Sequence, residues 1–428
     1  MKIVGLITEY NPFHNGHLYH LEQALDITGA DYAVVVMSGD YVQRGAPAIM
    51  PKHLRAKVAL EAGVPLVLEL PVCYATGSAE YFAAGAISLF ERLGCVDAIC
   101  FGSECGDYAL LDRIARVTAE EPEEYRFLLQ EGLRNGNSFP LARQMALKAY
   151  FKDVRLDLVL EQPNNILGIE YIKTLYRNKS SIKAFTIQRK VSGYHDQHLS
   201  HSYSSASAIR RLLEFTGRSV HLESEGLFDE PSLSEALTRL EGQVPPSCIR
   251  LLEENHRQRY PVYSNDFSLL LKYRLLTESR DSLVKYQDVS EDLANRIMNH
   301  RNNFLNFEQF CSLLKTRELT YARISRALLH ILLGITRADL LSCQAEGGCP
   351  YARILGFRKD TGPLLTQLKK HSRIPLISKL SLAESFTGTA ARLLELDIFA
   401  ADLYESVVTE KYKHPFLSEY QQQIVRCD

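Results

Sequence analysis

Short apolar runs alternate with helical patterns along the first hundred residues. Residues 2–8 (KIVGLIT), 32–37 (YAVVVM), 65–70 (PLVLEL) and 97–101 (DAICF) are apolar runs of strand length, the mark of strands buried on both faces. Between them, 17–28, 51–62 and 78–93 carry apolar residues at helical spacing. Strand and helix repeated in this order predict right-handed crossovers and a parallel sheet with helices on both faces. Ligands of such sheets bind beyond the carboxyl ends of the strands. Residues 107–177 read as mainly helical and 183–188 (KAFTIQ) as a further strand. A polar, His- and Ser-rich loop (193–203) follows, then a helix opening near Ser207. After about residue 217 the strand pattern stops, and Leu222–Pro246 mixes acidic residues with prolines before a half that reads almost entirely helical. The pattern predicts an α/β domain over 1–217 and a mainly α-helical domain over 218–428.

The loops at the predicted carboxyl edge carry the chemistry. The first strand ends in Thr8-Glu9-Tyr10-Asn11-Pro12-Phe13-His14-Asn15-Gly16-His17, and a helix begins at once. Pro12 and Gly16 break the strand, and Gly16 lets a ligand approach the backbone. A helix start offers free N–H groups and the positive end of its dipole, which suits phosphate. His14 and His17, three apart, can both donate hydrogen bonds to phosphate oxygens, and adenylyl transfer needs such charge stabilisation. An isolated pair of histidines by a turn would say little; this pair follows a buried strand and opens a helix. The next loop, Met37-Ser38-Gly39-Asp40-Tyr41-Val42-Gln43-Arg44-Gly45, offers a carboxylate, an amide and a cation. Asp40 is the expected residue for steering an attacking amine or accepting its proton. Lys52 and Arg55 open the following helix and can hold phosphate or serve as solvated charges.

The sequence His14-Asn15-Gly16-His17 resembles the HxGH nucleotidyltransferase superfamily, which implies a Rossmann-like fold and an ATP site. A second signature supports the match. The superfamily's ISSTxIR-type motif corresponds here to Ser204-Ser205-Ala206-Ser207-Ala208-Ile209-Arg210, with Ser204, Ala206 and Ser207 departing from the usual residues. Ser207 is expected to cap the helix while Arg210 meets the β- and γ-phosphates. The stretches GLITEYNPFHNGHLYH, VVVMSGDYVQRGAPAI, FGSE and QPNNILGIEYI are similar to the bacterial tRNA(Met) cytidine acetate ligases. That likeness implies activation of acetate by ATP as acetyl-adenylate, then transfer of the acetyl group to N4 of the wobble cytidine of elongator tRNA(Met). It also implies ATP contacts from the Ile7–His20 loop (Ile7, Thr8, Glu9 and the residues through Leu18, Tyr19 and His20), Gly102, Asn164 and Arg189. Each has a plainer reading as well. Gly102 can be a turn glycine, Asn164 a helix cap, and Arg189 with Lys190 a solvated basic pair. The adjacent Asn165 offers the same chemistry as Asn164.

Composition narrows the alternatives. Apolar residues make up 46% of 428 residues and charged residues 23%, ordinary globular chemistry for two domains. A formal charge of −2 argues against a uniformly basic nucleic-acid binder but leaves room for a local patch. Two candidate patches lie in the second half: Arg317, Tyr321, Arg323 and Arg326, and Lys369, Lys370, Arg373 and Lys379. Cations with an interspersed tyrosine suit phosphate tracking and base stacking, though a solvated helix face has the same composition. Nine cysteines lie scattered without a regular framework, and no protein metal site is expected; Mg²⁺ is expected only as the companion of a triphosphate. The start, Met1-Lys2-Ile3-Val4, runs straight into a strand with no small-residue cleavage site. No apolar run approaches the roughly 20 residues that span a bilayer. A cytoplasmic protein with no membrane contact and no obligate protein partner is the expectation. Two other functions fit the same motifs: a small-molecule adenylyltransferase, and a non-catalytic RNA-binding protein that keeps an ATP pocket.

Overall fold

The computed structural model describes residues 1–153, 156–189, 205–214, 216 and 232–428. The predicted strands form as β1 (Ile3–Thr8), β2 (Tyr32–Ser38), β5 (Leu66–Leu70), β6 (Ala98–Ser103) and β7 (Lys183–Gln188), with a two-stranded ribbon of β3 (Tyr41–Val42) and β4 (Ala46–Pro47) between β2 and β5. The main sheet runs β10 (Val425–Cys427), β8 (Ala352–Arg358), β5, β2, β1, β6, β7, and β1, β2, β5, β6 and β7 are mutually parallel. From β1 the chain winds outward through β2 to β5, then returns to place β6 and β7 on the other side. The order therefore reverses at β1, and the crevice beyond β1 and β6 is where a doubly wound sheet accepts ligands.

Alternation along each strand assigns its side chains to two cores. In β2, Val34 and Val36 point to one face while Ala33, Val35 and Met37 point to the other. In β6, Ile99 and Phe101 are divided from Ala98 and Cys100 in the same way. Helices α3 (Val72–Ala75) and α4 (Ala79–Leu93) cover the first face with α5 (Tyr108–Glu120), α8 (Leu156–Glu161) and α9 (Pro163–Arg177), while α6 (Glu123–Arg134) and α7 (Phe139–Phe151) pair beside them. Helices α1 (Asn15–Thr28), α2 (Lys52–Glu61) and α10 (Ala206–Glu214) cover the second. Both faces of the sheet are thus sealed, which is why its strands read as continuous apolar runs.

The second half contributes α11 (Leu233–Leu240), α12 (Pro246–Asn255), α13 (Ser268–Thr277), α14 (Arg280–Leu283), α15 (Glu291–His300), α16 (Phe307–Leu314), α17 (Tyr321–Leu333), α18 (Arg337–Ala345), α19 (Gly362–His371) and α20 (Gly388–Tyr412). It is mainly helical, as its sequence implies. The strand pattern, however, does not stop near residue 217. Strand β8 (Ala352–Arg358) pairs antiparallel with β5, and β9 (Leu376–Ile377) and β10 (Val425–Cys427) pair with β8. The run ARILGFR breaks its apolar pattern with Arg353, whose charge is paired inside the fold, so composition hid a buried strand. The expected boundary near 217 lies at the edge of the described residues.

Contacts from the second half fix the loop between β2 and α2. Ser325 Oγ donates to the Gly45 carbonyl at 2.8 Å, Tyr404 Oη to the Ala48 carbonyl at 2.8 Å, and the Val262 N–H to the Ile49 carbonyl at 3.0 Å. Gly45 has φ of +78°, and a Cβ there would lie 2.4 Å from the backbone nitrogen of Arg326. Only glycine permits both the turn and the close approach of α17.

Candidate active site

The signature loop builds its own pocket. His14 is the N-cap of α1: its Nδ1 accepts the Gly16 N–H at 3.0 Å, and His17 Nδ1 accepts the His14 N–H at 3.2 Å. The two rings stack with centroids 3.8 Å apart. Tyr10 and Phe13 back the His17 ring at 4.9 and 5.5 Å. Burial is the main cause that pushes the His14 pKa down to about 3, helped by the positive charges of Arg189 and Arg210. Burial likewise holds His17 well below its ordinary value, helped by His14 and Arg189. A neutral imidazole whose Nδ1 is engaged as an acceptor carries its proton on Nε2. Both rings therefore present N–H donors to the cavity they line. His20 is turned the other way: its Nε2 lies 3.1 Å from the Cys100 carbonyl, so it donates there. Burial also pushes His20 down, to about 4.

The cavity opens at the carboxyl ends of β1, β6 and β7, where the strand order reverses. From the expected set it is lined by Ile7, Thr8, Glu9, Tyr10, Asn11, His14, Gly16, His17, Tyr19, His20, Gly102, Asn164, Arg189 and Arg210. Arg189 continues β7, its N–H bonded to the Ser103 carbonyl at 2.9 Å, and its stem lies across Gly102. A Cβ on Gly102 would come 3.1 Å from Arg189 Cγ, so the glycine leaves room for the arginine and for whatever enters. Arg210 is anchored on both sides, donating to the Asn11 carbonyl at 2.6 Å and to Ser207 Oγ at 3.0 Å.

The two neighbouring asparagines separate clearly. Asn164 lines the cavity, while Asn165 is buried, its Oδ1 accepting the Glu104 and Cys105 N–H groups at 2.9 and 3.2 Å. Glu104 in turn accepts the Asn164 and Asn165 N–H groups at the start of α9. The FGSE and QPNN segments, distant in sequence, are one construction: an acid capping a helix whose first turn forms the cavity wall.

Other expected residues take supporting places. Pro12, Phe13, Asn15, Leu18 and Ser207 are not on the wall. Phe13 is core, and Asn15 Nδ2 ties the start of α1 to the Gly242 carbonyl at 2.7 Å. The capping role expected of Ser207 belongs to Ser205, whose Oγ accepts the Ala208 N–H at 3.1 Å, because α10 begins one residue earlier. Ser204 lies outside the described residues, as do Lys190 and the 193–203 loop.

Asp40 is the larger correction. It is buried away from the cavity wall, where its Oδ1 accepts the Lys52 N–H at 2.7 Å. Lys52 does not face phosphate either: its Nζ lies 2.7 Å from Glu69 and 2.7 Å from Glu419. Burial opposes that charge, but Glu419 and Glu69 outweigh it and hold Lys52 above its usual pKa. Arg353 closes the cluster against Glu69 and Glu419. Arg55 is fully buried and donates to the carbonyls of Glu9, Ser38, Gly39 and Met50, tying three loops together. From the same loop Gln43 and Arg44 do reach the cavity, and Glu9 Oε1 accepts the Gln43 N–H at 2.9 Å. Phe82, Phe101, Leu167, Tyr171 and Ile187 give the cavity an apolar side; Phe101, Leu167 and Tyr171 stand within FGSE and QPNNILGIEYI but were not among the expected contacts.

The chain matches the model of the HIGH Nucleotidyl Transferase family over residues 1–419. It is 42% identical to the tRNA(Met) cytidine acetate ligase of Acetivibrio thermocellus, over 97% of this chain and 96% of that protein. With the tRNA(Met) cytidine acetate ligase of Clostridium acetobutylicum it shares 39% identity over 99% of this chain and all of the other. The chain belongs to this family. The crystal structure of Thermotoga maritima TmcAL bound with alpha-thio ATP superposes with a TM-score of 0.87 at 31% identity, each chain covered in full. Family membership accounts for the fold, including the return of β8 to the sheet, as one unit across both halves. Among the described residues no helix is long and apolar enough to cross a membrane.

Proposed function

We propose that this protein is an ATP-dependent ligase that activates acetate as acetyl-adenylate and transfers the acetyl group to N4 of the wobble cytidine of elongator tRNA(Met), in the cytoplasm. The observation that carries the reading is the charge of the cavity. Three guanidiniums (Arg44, Arg189 and Arg210) and the Nε2–H groups of His14 and His17 line it at the reversal point of the sheet, and Glu9 is the one carboxylate among its described lining residues. Such an excess of donors suits a triphosphate. The activity for which its relatives are named supports the acceptor, and the bound nucleotide analogue in the Thermotoga structure supports ATP.

The acetate carboxylate attacks the α-phosphate and pyrophosphate leaves. Donors fixed at His14, His17, Arg189 and Arg210 meet the charge that grows on the phosphate oxygens, and their positions are set before reaction by α1, the end of β7 and α10. Asn164 and the apolar side from Phe101 to Tyr171 suit the base and ribose. With one carboxylate on the wall the protein offers little to a divalent ion, so Mg²⁺ would arrive held by triphosphate oxygens and water. Residues 218–428 would deliver the tRNA; Lys369, Lys370, Arg373 and Lys379 are exposed around α19, as phosphate contacts require.

The test is incubation with labelled acetate, ATP and bulk tRNA. Label on a cytidine base, with AMP and pyrophosphate released, is expected. Acetylation from acetyl-CoA without ATP would overturn the reading, and exchange driven by a pantetheine phosphate instead of acetate would point to a small-molecule adenylyltransferase.

A further inference from the structure

The one carboxylate among the described residues of the cavity wall, Glu9, needs a reason. Both substrates of the first half-reaction are anions, and an acid beside them weakens their binding. Adenylation gives it no task, because a carboxylate attacks without losing a proton. The second half-reaction reverses these needs: a neutral amine attacks, and its proton must go somewhere. We propose that Glu9 is the proton acceptor of the acetyl-transfer step, an inference that rests on the cytidine-acetylating reading above.

The structure puts Glu9 where that step would occur. It follows β1 directly, at the edge where β1 and β6 part, and lines the same cavity as His14 and His17. Its side chain is anchored through Oε1 by the Gln43 N–H at 2.9 Å, and its backbone carbonyl by Arg55. Arg44 and Arg210 carry positive charge beside it. Of the other acids at this edge, Asp40 is engaged by the Lys52 N–H and faces the interior, and Glu104 caps the start of α9. In the step itself the N4 lone pair forms a C–N bond to the acetyl carbonyl carbon. The tetrahedral adduct collapses by breaking the C–O bond to phosphate, and AMP leaves with that electron pair. The N4 proton passes to the Glu9 carboxylate and from there to water.

Glu9→Gln keeps an oxygen for the Gln43 N–H and nearly the same shape but removes the base. In full-length protein, acetate-dependent ATP–pyrophosphate exchange and single-turnover acetyl transfer to tRNA are measured from acid to neutral pH. Transfer should fall about 10²–10⁴-fold and lose the acid limb of its pH profile, while exchange changes by less than about tenfold. Glu9→Asp should recover part of the transfer rate with the acid limb restored. Equal loss of both half-reactions, as expected if Glu9 serves ATP, a bound Mg²⁺ ion or the loop's shape, overturns the proposal. So does transfer at the wild-type rate with the acid limb intact. Wild-type protein that shows no acetate-dependent exchange overturns the functional reading and this inference together; an active wild type beside an unimpaired Glu9→Gln overturns the inference alone.

Discussion

Two groups of charges lie at the same edge of the sheet, one enclosed in the interior and one lining an open cavity. Around Lys52, two cations (Lys52 and Arg353) share three carboxylates (Asp40, Glu69 and Glu419), every one of them buried. Across the signature loop, Arg44, Arg189 and Arg210 line a cavity with three neutral histidines, and Glu9 is the one carboxylate among its described lining residues. The first group satisfies itself and holds the strand β8, the start of α2 and the C-terminal segment together. The second lines a cavity that an anion from outside can enter. Burial of charge alone does not mark a site; charge presented to an open cavity does.

Substitutions should keep these roles apart. The largest effect is expected from Lys52→Met, which strands carboxylates in the interior and should cost about 3–5 kcal/mol of stability in urea unfolding. Turnover per folded molecule should stay close to wild type. A catalytic loss as deep as that of the histidine variants would break the comparison.

His14→Ala or His17→Ala should lower turnover by about 10²–10³, the loss of one transition-state donor, with a smaller change in ATP affinity. Near-wild-type rates in both would remove the cavity's claim to chemistry.

A pH series probes the open group without substrate. His14 titrates near its ordinary 6.5 when unfolded but only at about 3 when folded. Between these values the unfolded chain binds the extra proton, so stability is full above about pH 6.5 and falls as pH drops, by about 1.4 kcal/mol per pH unit for this group. His14→Gln should remove that share of the slope between pH 7 and 5 and leave the share of His17 and His20, which burial also holds down. An unchanged slope would show that the ring is not held neutral.

The smallest effects are expected at the surface. Lys369→Gln and Lys370→Gln should weaken tRNA binding modestly and each reduce the magnitude of its logarithmic salt slope by about 0.7–0.9, if each contacts one phosphate. Arg326, once grouped with the RNA candidates, is paired with Asp288 at 2.8 Å and is largely buried. Arg326→Gln should therefore lower stability and leave the salt slope unchanged.

Much of this was legible beforehand. Each expected strand of the first half formed within a residue or two of its apolar run, because a strand covered on both faces has no polar register to disguise it. The HNGH loop was legible because a strand end, a proline, a glycine and a helix start occur within ten residues. Strand β8 was not, since Arg353 interrupts its pattern and its partners Glu69 and Glu419 lie far away in sequence. Asp40 looked catalytic for the same reason that Lys52 looked phosphate-binding: a charged residue in a loop beside the motif carries no mark of which way it points.

By itself, then, the sequence determined the parallel sheet, the edge that carries the chemistry, and the residue types that gather there, all of which follow from local periodicity and from short-range backbone chemistry. Tertiary structure decided which charges remain available. It turned Asn164 toward the cavity and Asn165 into the interior, gave the helix cap to Ser205, and enclosed Asp40, Lys52 and Arg55 while leaving Glu9, Gln43 and Arg44 on the wall. The physical reason is that a charge's role depends on its partners. Those partners, supplied by β5, β8 and the C-terminal segment, meet only when the chain has closed on itself.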